Sequence, residues 1–314
     1  MSTPFQGRGE WLKCQFHAHT TNSDGEATPE GLAAHYARAG FDVLAITDHW
    51  HVTEHPSERI LVIGSSELSA RVDETLEADI LALGVPILPE VKDYFPTIGD
   101  AASWIVENGG VAFLAHPYWS GLESEQYLSA PALSGIEVYN GGSQQTNGNA
   151  SSVEFWDAVL HRDATCLGIA CDDCHYPEYD SRLAWTMVRA PERTRAAVLE
   201  ALRSGSFYAS SGPVVHDVSV TDAGVEVRCS PARAVTLRSG PWDGGRANAD
   251  PRLMHWRATV TEQDDAGLIT ACTLRFPELW TWGRVEVQAA DGTTAWTNPM
   301  PLPLDTSGGP ESNL

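Results

Sequence analysis

The chain has 314 residues, of which 42 are acidic and 20 are basic, so its formal net charge is −22. This charge argues against binding to nucleic acid or to an anionic membrane surface, because both would repel the chain at long range. A hydrophobic share of 42% with 11 tryptophans excludes a disordered chain. No apolar run is long enough for a transmembrane helix, and the polar first residues lack the apolar core of a secretion signal. We therefore expect a soluble, cytoplasmic protein.

Apolar, strand-like runs alternate with helical patterns from residue 12 to about residue 210. A proline in the first turn and a glycine at the end, Pro29 and Gly40, mark the first helix. Continuously apolar strands that alternate with helices predict a parallel α/β sheet covered on both faces, either open or closed into a barrel. The predicted strands are 11–16, 41–47, 59–68, 78–85, 111–116, 134–140 and 165–171, and the predicted helices are 28–40, 97–110, 151–163 and 192–205.

The pattern changes after residue 212, where short strands are separated by turn residues and no helical stretch intervenes. This spacing predicts a small all-β sandwich domain over residues 213–304, following a first domain over residues 1–212. The polar residues 305–314 are expected to form a flexible tail. The six cysteines show no disulfide framework, and the C-x-x-C pair at Cys171 and Cys174 encloses two aspartates, which disfavours a redox role.

Metal-type side chains follow most predicted strands of the first domain. The carboxyl ends of parallel strands form the active site in such folds, so these side chains should meet. Residues two apart share one face of a strand, which pairs His17 with His19 and Asp173 with His175. Each residue alone is more often a solvated or hydrogen-bonded loop residue, but together they predict a metal centre. The candidate ligands are His17, His19, Asp24, His49, Glu67, His116, Asp173 and His175.

These ligand types indicate the kind of metal and the kind of chemistry. Imidazole nitrogens and carboxylate oxygens suit zinc, manganese or iron, and the lack of a thiolate set disfavours a structural zinc site. Eight ligands are too many for one ion, so two or three neighbouring divalent ions are expected. Close metal ions lower the pKa of a bound water and polarise a substrate oxygen, which is the apparatus of hydrolysis.

The segments "FHAHTTNSDGE", "AITDHW", "GSSEL", "LAHP" and "DDCH" resemble, in order, the motifs of the polymerase-and-histidinol-phosphatase (PHP) family. More narrowly, "SSGP" (210–213) and "WTNPM" (296–300) resemble the branch that contains carbaryl hydrolases. The resemblance implies a distorted seven-stranded (β/α) barrel of PHP type with a dinuclear or trinuclear metal centre. It implies one ion at His17, His19, Glu67 and Asp173, a second at Glu67 and His116, and a third at Asp24, His49 and His175.

One position departs from the family pattern. The family usually has a histidine in a segment like "HILGLGV", whereas "ADILALGV" places Asp79 there. An aspartate can bind a metal through oxygen, but it adds negative charge and reaches less far. The second ion is therefore expected to be weaker, to be of a harder type, or to be missing.

The leading hypothesis is a metal-dependent hydrolase of a small ester, with a phosphoester as the favoured substrate. A metal-bridging hydroxide would attack phosphorus in line, and no G-x-S-x-G motif suggests a serine nucleophile. Asp48 and Asp172 flank ligands and could orient imidazoles or relay the proton of the leaving group. Arg182 could contact an anionic substrate, or it could be a surface charge.

Two alternatives stay open. Carbamate or carboxyl-ester hydrolysis would use the same metals, and Trp50, Tyr118 and Trp119 near the ligands favour an aryl substrate. The alternative from another class is a non-catalytic metal-binding or regulatory module. The expected partner is a small-molecule ester, with neither nucleic acid nor membrane, and a homo-oligomer is left open.

Overall fold

The computed structural model describes residues 4–303 except residues 92, 241–243 and 277–279. The described chain divides into two compact units, one of residues 7–212 with 296–298 and one of residues 4–6, 213–295 and 299–303. The tail predicted over residues 305–314 lies outside the described residues. Within the described part, no helix is long and apolar enough to cross a membrane.

The first unit alternates strands and helices, and the mixed α/β class predicted from the sequence is confirmed. Its strands are β1 (Glu10–Gln15), β2 (Val43–Ile46), β3 (Leu61–Gly64), β4 (Ser66–Arg71), β5 (Glu77–Leu83), β6 (Val111–Leu114), β7 (Gly135–Asn140), β8 (Leu167–Cys171), β9 (Trp185–Ala190) and β10 (Phe207–Ser210). Its helices are α1 (Pro29–Arg38), α2 (Ile98–Glu107), α3 (Ser124–Leu128), α4 (Gly141–Thr146), α5 (Val153–Leu160) and α6 (Arg195–Ser204).

Local signals explain where the longer helices begin and end. Helices α1, α2 and α6 each follow a threonine, namely Thr28, Thr97 and Thr194, whose side chain accepts a hydrogen bond from a backbone N–H of the first turn. Such a cap satisfies one N–H that has no partner inside the helix. Helix α6 ends at Gly205, whose φ of 72° is the left-handed conformation that glycine adopts without strain.

The strands of this unit form two mixed sheets, which corrects the predicted parallel sheet. In the first sheet, β1, β2 and β3 are parallel, while β9 and β10 continue antiparallel on the other side of β1. In the second sheet, β4, β5 and β6 are antiparallel neighbours, and β6, β7 and β8 are parallel. A closed seven-stranded (β/α) barrel is not evident among the described strands.

Two features explain this difference. The strand predicted over 59–68 is two strands, because the chain leaves the first sheet after Gly64 and enters the second sheet at Ser66. A connection as short as residues 72–76 between β4 and β5 allows only antiparallel pairing, since a parallel crossover needs a dozen or more residues.

One hydrophobic core joins the inner faces of the two sheets. It includes Cys14 and Val43 from the first sheet and Leu81, Phe113 and Ile169 from the second, all fully buried. Burial of each large apolar side chain stabilises the unit by about 1.5–3 kcal/mol. The core therefore holds the strand ends, and the side chains that follow them, in fixed positions.

The described chain beyond residue 212 contains strands and no helix. These strands are β11 (Val215–Thr221), β12 (Gly224–Ala232), β13 (Ala234–Arg238), β14 (Gly244–Asn248), β15 (Ala258–Gln263), β16 (Ile269–Leu274), β17 (Trp282–Gln288), β18 (Thr294–Thr297) and β19 (Met300–Pro301). Strands β11, β12, β16 and β15 form one antiparallel sheet in that order, and β13 pairs antiparallel with both β14 and β17. Their packing as a sandwich domain stays a prediction.

Candidate metal centre

The segment after β1 places two fully buried imidazoles side by side. The Nε2 atoms of His17 and His19 lie 3.1 Å apart, and they approach Oε2 of Glu67 to 3.0 and 3.2 Å. Glu67 lies close to these rings because it is at the start of β4, which begins just after β3 ends, and β3 lies beside β2 in the sheet that contains β1. Two ring nitrogens that converge on one carboxylate oxygen are typical of ligands around a cation.

Asp173 completes this group from the end of β8. Its Oδ1 lies 3.1 Å from Nε2 of His17 and 3.3 Å from Nε2 of His19. Its φ of 54° and the φ of 27° at His116 are left-handed, which costs about 1–3 kcal/mol at a non-glycine residue. Such strain persists where the surrounding structure imposes it, and both residues face the same cavity.

Two buried carboxylate oxygens of this group accept no hydrogen bond in the described structure, Oε1 of Glu67 and Oδ1 of Asp173. A buried charged oxygen without a hydrogen bond is costly, and a bound cation would remove that cost. The surrounding nitrogen and oxygen donors match the ligands that zinc, manganese and iron take in proteins. The residues present therefore fit a divalent metal ion.

The donor atoms form three groups, and the atoms of each group all lie within 4.8 Å of one another. Glu67 belongs to the first and second groups, and His19 belongs to the first and third. The first group is His17, His19, Glu67 and Asp173; the second is Glu67, Asp79 and His116; the third is His19, Asp24, His49 and His175. The structure thus brings together every residue that the sequence singled out as a metal ligand, and it adds His19 to the third group.

The second group contains the unusual aspartate. The backbone N–H of Ala115 donates to the carbonyl of Asp79 at 2.9 Å, so antiparallel pairing brings the start of β5 level with His116. Nε2 of His116 lies 3.3 Å from Oε1 of Glu67, and Ser69 donates a 2.7 Å hydrogen bond to Asp79. Burial and the nearby charge of Glu67 raise the pKa of Asp79.

The third group is the one most open to solvent. Oδ2 of Asp24 lies 3.4 Å from Nε2 of His175 and 3.6 Å from Nε2 of His49, while its Oδ1 lies 3.5 Å from Nδ1 of His19. The hydrogen bond from His175 holds the pKa of Asp24 well below its usual range. His19 therefore turns one ring nitrogen toward each of two groups.

The mutual pKa shifts show how strongly these charges interact. Burial lowers the pKa of His19 and His116, but Asp173 and Glu67 outweigh it and raise both values to about 9. Burial likewise opposes ionisation of Glu67, yet the neighbouring imidazoles, first His17, hold the pKa of Glu67 well below its usual range. Without a metal ion, the carboxylates and the imidazoles therefore stabilise each other in their charged forms. A bound metal ion would displace the imidazole protons.

A buried carboxylate outside the three donor groups, which the sequence reasoning missed, holds His17 of the first group in place. Glu137, fully buried on β7, holds Nδ1 of His17 at 2.8 Å through Oε1. Its Oε2 accepts 2.9 Å hydrogen bonds from the backbone N–H of His116 and from Nδ2 of Asn140. A partner on Nδ1 leaves the Nε2 lone pair of His17 facing Glu67 and Asp173. The available signal was a glutamate inside the otherwise apolar strand "GIEVY".

Asp48 does not orient an imidazole in the described structure, contrary to the prediction. Its buried carboxylate accepts hydrogen bonds from the backbone N–H of Thr20 at 2.6 Å, from the Thr20 hydroxyl at 2.8 Å and from Ser23 at 2.9 Å. Thr53 donates a further one. Asp48 therefore holds the loop that carries Asp24.

Asp172 and Arg182 are also placed away from the predicted roles. Asp172 accepts hydrogen bonds from the Tyr36 hydroxyl and from the backbone N–H groups of residues 182–184, at 2.7 to 2.9 Å. Burial raises the pKa of Asp172 to about 6, against these donors. The Arg182 side chain is exposed, and neither residue is among the described residues that line the cavity.

A cavity of about 530 Å³ opens above the three donor groups. No lysine or arginine is among the described residues that line it, whereas Trp119, Tyr176 and Tyr179 are. Tyr118, which the sequence also suggested, is not a lining residue, and the Trp50 ring stacks on Phe95 with centroids 6.0 Å apart. The cavity thus has the candidate metal-binding side chains at its base and partly exposed aromatic rings in its wall.

No protein-family model matches the chain, and no curated protein matches it. Among solved structures, it is similar to a two-domain protein from Bacteroides vulgatus that contains a predicted PHP-like metal-dependent phosphoesterase. The TM-score is 0.50 and the identity 19%, over 93% of this chain and 96% of that chain. At this identity the likeness shows the fold alone.

Two further structures match about half of the chain. One is an amidohydrolase from Chromobacterium violaceum with bound sulfate and no metal, with 17% identity, 53% of this chain, 89% of that chain and a TM-score of 0.41. The other is a proposed metal-dependent phosphoesterase from Bifidobacterium adolescentis, with 18% identity, 52% of this chain, 88% of that chain and a TM-score of 0.39. None of the three structures is described as a carbaryl hydrolase, and that narrower resemblance is not confirmed.

Proposed function

We propose that this protein is a PHP-type metal-dependent hydrolase that cleaves a small ester, with a phosphoester as the favoured substrate. The observation that carries this proposal is the pair of buried carboxylate oxygens, on Glu67 and Asp173, that accept no hydrogen bond among converging imidazoles. They lie at the floor of the cavity, where a substrate would reach them.

The donor groups suggest how two or three divalent ions, zinc, manganese or iron, would be held. The first group has two nitrogen and two oxygen donors and is the most buried, so it is the best candidate for tight binding. Glu67 directs one oxygen to the first group and the other to His116, so Glu67 would be shared between the ions of the first and second groups. All these candidate ligands lie between residues 17 and 175, so we infer that residues 1–212 form the catalytic domain. We infer a separate sandwich domain for residues 213–304.

When bound, such ions supply an acidified water and a Lewis acid for the ester oxygen. The chain's own residues fix the geometry for this chemistry. Glu137 keeps the proton of His17 on Nδ1, and Ser120, 2.9 Å from Nδ1 of His116, is placed to do the same for that ring. Burial raises the pKa of the thiols of Cys14, Cys171 and Cys174, so these cysteines are poor nucleophiles, which supports a mechanism without a covalent intermediate.

Carbamate or carboxyl-ester hydrolysis, as in carbaryl hydrolases, is the second candidate. Two observations favour it: the described lining has no lysine or arginine to bind a phosphate, and Trp119, Tyr176 and Tyr179 offer surfaces for an aryl group. The same donor groups would serve, because a carbonyl oxygen can be polarised as a phosphoryl oxygen is.

The test combines elemental analysis of the protein purified without chelator with hydrolysis of an aryl phosphate and an aryl carbamate. We expect two or more divalent ions per chain and turnover of one ester, and the preferred ester decides between the two candidates. Glu67→Ala should lose metal and activity together, whereas His216→Ala, an exposed histidine on β11, should behave as wild type. Metal-loaded protein without turnover on a broad ester panel would favour a non-catalytic metal-binding module.

A further inference from the structure

The charges that line the cavity limit which substrates can enter it. We propose that this site selects an ester with a single anionic group and an aromatic leaving group that carries no negative charge of its own. This inference rests on the proposed function, because it specifies the substrate class of the same site.

The first step concerns charge. Five carboxylates line the cavity, on Asp24, Glu67, Asp79, Asp173 and Asp180, and no lysine or arginine does so among the described residues. With five ionised carboxylates, two divalent ions would leave one negative charge in the lining, and a third ion would leave one positive charge. The loaded cavity could therefore accommodate the negative charge of one phosphoryl group but not of a second anionic group.

A second anionic group on the substrate would find no cation in the cavity wall. Asp180 is nearly buried, and its carboxylate already accepts hydrogen bonds from the backbone N–H groups of His175 and Tyr176 at 2.8 to 2.9 Å. A carboxylate at this place in the lining would repel an anionic substituent. Repulsion between like charges at close range near a protein surface corresponds to about tenfold or more in affinity.

The second step concerns shape. Trp119 follows the ligand His116 closely in sequence, and the two rings meet edge to face with centroids 5.1 Å apart. The tryptophan remains 44% exposed, so its indole is available to a group attached to an ester held at the metal centre. Tyr176 and Tyr179, exposed by 55% and 76%, add two more rings to the lining. Aromatic rings of this kind favour a flat apolar or cationic group over an anionic one.

The experiment compares ligands that differ only in charge, with the full-length protein reconstituted with manganese. Calorimetry gives the Kd of three non-hydrolysable ligands: phenylphosphonate, its 4-trimethylammonio derivative and its 4-carboxylate derivative. Phosphonates remove differences in leaving-group reactivity from the comparison. We expect the carboxylate derivative to bind about tenfold or more weakly than phenylphosphonate, and the trimethylammonio derivative to bind at least as tightly. Equal Kd values for all three ligands would overturn the proposal.

Two neighbouring glutamines provide a matched pair of variants. Gln145 lines the cavity, whereas Gln144, on the same helix α4, is exposed and is not among the described lining residues. Gln145→Arg should recover most of the lost affinity for the carboxylate ligand, and Gln144→Arg should not. An equal effect of both variants would show that net charge alone, rather than the cavity wall, sets the selectivity.

The aromatic part has its own control. Trp119→Ala should weaken phenylphosphonate about fivefold or more while leaving methylphosphonate unchanged, and Trp119→Phe should keep most of the affinity. Tyr118→Ala removes a neighbouring ring that is 50% exposed but outside the lining, and it should have no effect. If Trp119→Ala weakened both ligands equally, the ring would not be a contact for the leaving group.

Failure of this inference differs from failure of the proposed function. Turnover of esters with equal binding of all three phosphonates would reject the charge selectivity and keep the hydrolase. A metal-loaded protein that neither hydrolyses an ester nor binds any phosphonate would reject both.

Discussion

Replacement of Glu137 by glutamine isolates the role of one buried charge while keeping the size of the side chain. Oε1 of Glu137 faces Nδ1 of His17, and Oε2 faces two donors, the backbone N–H of His116 and Nδ2 of Asn140. An amide has only one oxygen for these two sides. Whichever way the new amide turns, its NH₂ group would point at a donor that now has an acceptor.

The magnitude follows from these contacts. Loss of a carboxylate that supports a metal-binding imidazole typically lowers metal affinity 10–100-fold, which is about 1.4–2.8 kcal/mol at 25 °C. We expect Glu137→Gln to weaken metal binding in this range, since it affects His17 in the first group and the chain at His116 in the second. The metal-free protein should also lose about 1–3 kcal/mol of stability, from the unsatisfied buried donor.

The assay is competition for zinc or manganese against a chromophoric chelator, carried out well below the melting temperature of the variant. Glu226→Gln, an exposed glutamate on β12, is the control and should match wild type in both metal affinity and stability. If Glu137→Gln lowered the melting temperature but bound metal as wild type does, Glu137 would only stabilise the fold, and the reasoning would be wrong.

Three further predictions concern stability. Chelation should lower the melting temperature, because Glu67 and Asp173 lose their cation, and metal at 100 times its Kd should restore about 2.7 kcal/mol; an unchanged melting temperature would contradict the metal centre. Burial opposes ionisation of Glu286, but Arg284 and Arg238 hold its pKa below the usual value of 4.5. The stabilisation from ionised Glu286 is therefore present above pH 4.5 and is lost as the pH falls through the lower pKa of the folded state. The difference in melting temperature between wild type and Glu286→Gln should accordingly narrow in acid, and a difference that widened would refute this. In urea unfolding, Gly205→Ala should lower the free energy of unfolding more than Gly109→Ala does. Both glycines have a left-handed φ, which costs alanine about 1 kcal/mol, but only at Gly205 would the new Cβ meet Leu167, at 3.0 Å. Equal losses of stability would mean that the contact with Leu167 relaxes freely.

The sequence predicted which side chains meet in the three donor groups because their signal is local. A histidine or carboxylate directly after a buried apolar run lies at a strand end, and such ends meet in α/β folds whichever strands pair. The longer helices were indicated by a first-turn proline or a terminal glycine, as at Pro29 and Gly205, whereas the short helices α3 and α4 were not predicted. Sheet pairing is a long-range property, so the antiparallel addition of β9 to β1 left no mark that hydrophobic periodicity could show.

The errors at the site have a geometric cause. Asp172 is next to Asp173 in sequence, but the backbone is left-handed at Asp173, and the Asp172 carboxylate accepts a hydrogen bond from Tyr36 and is not among the described residues that line the cavity. Glu137 was missed for the converse reason, because it lies within a strand and not at its end. Adjacency to a ligand in sequence is thus a poor guide to contact, and a charge inside an apolar strand is a better one.

The two ring nitrogens of His19 face different donor groups, although a neutral imidazole has only one proton. Its Nε2 faces the first donor group and its Nδ1 faces Asp24 of the third, yet a neutral imidazole carries one proton and one free lone pair. A cation on Nε2 fixes the remaining proton on Nδ1, where it can be donated to Asp24 and reinforce that carboxylate's position. Occupancy of the first group would therefore leave three candidate ligands in the third, Asp24, His49 and His175, and the order of metal loading would depend on the tautomer of His19.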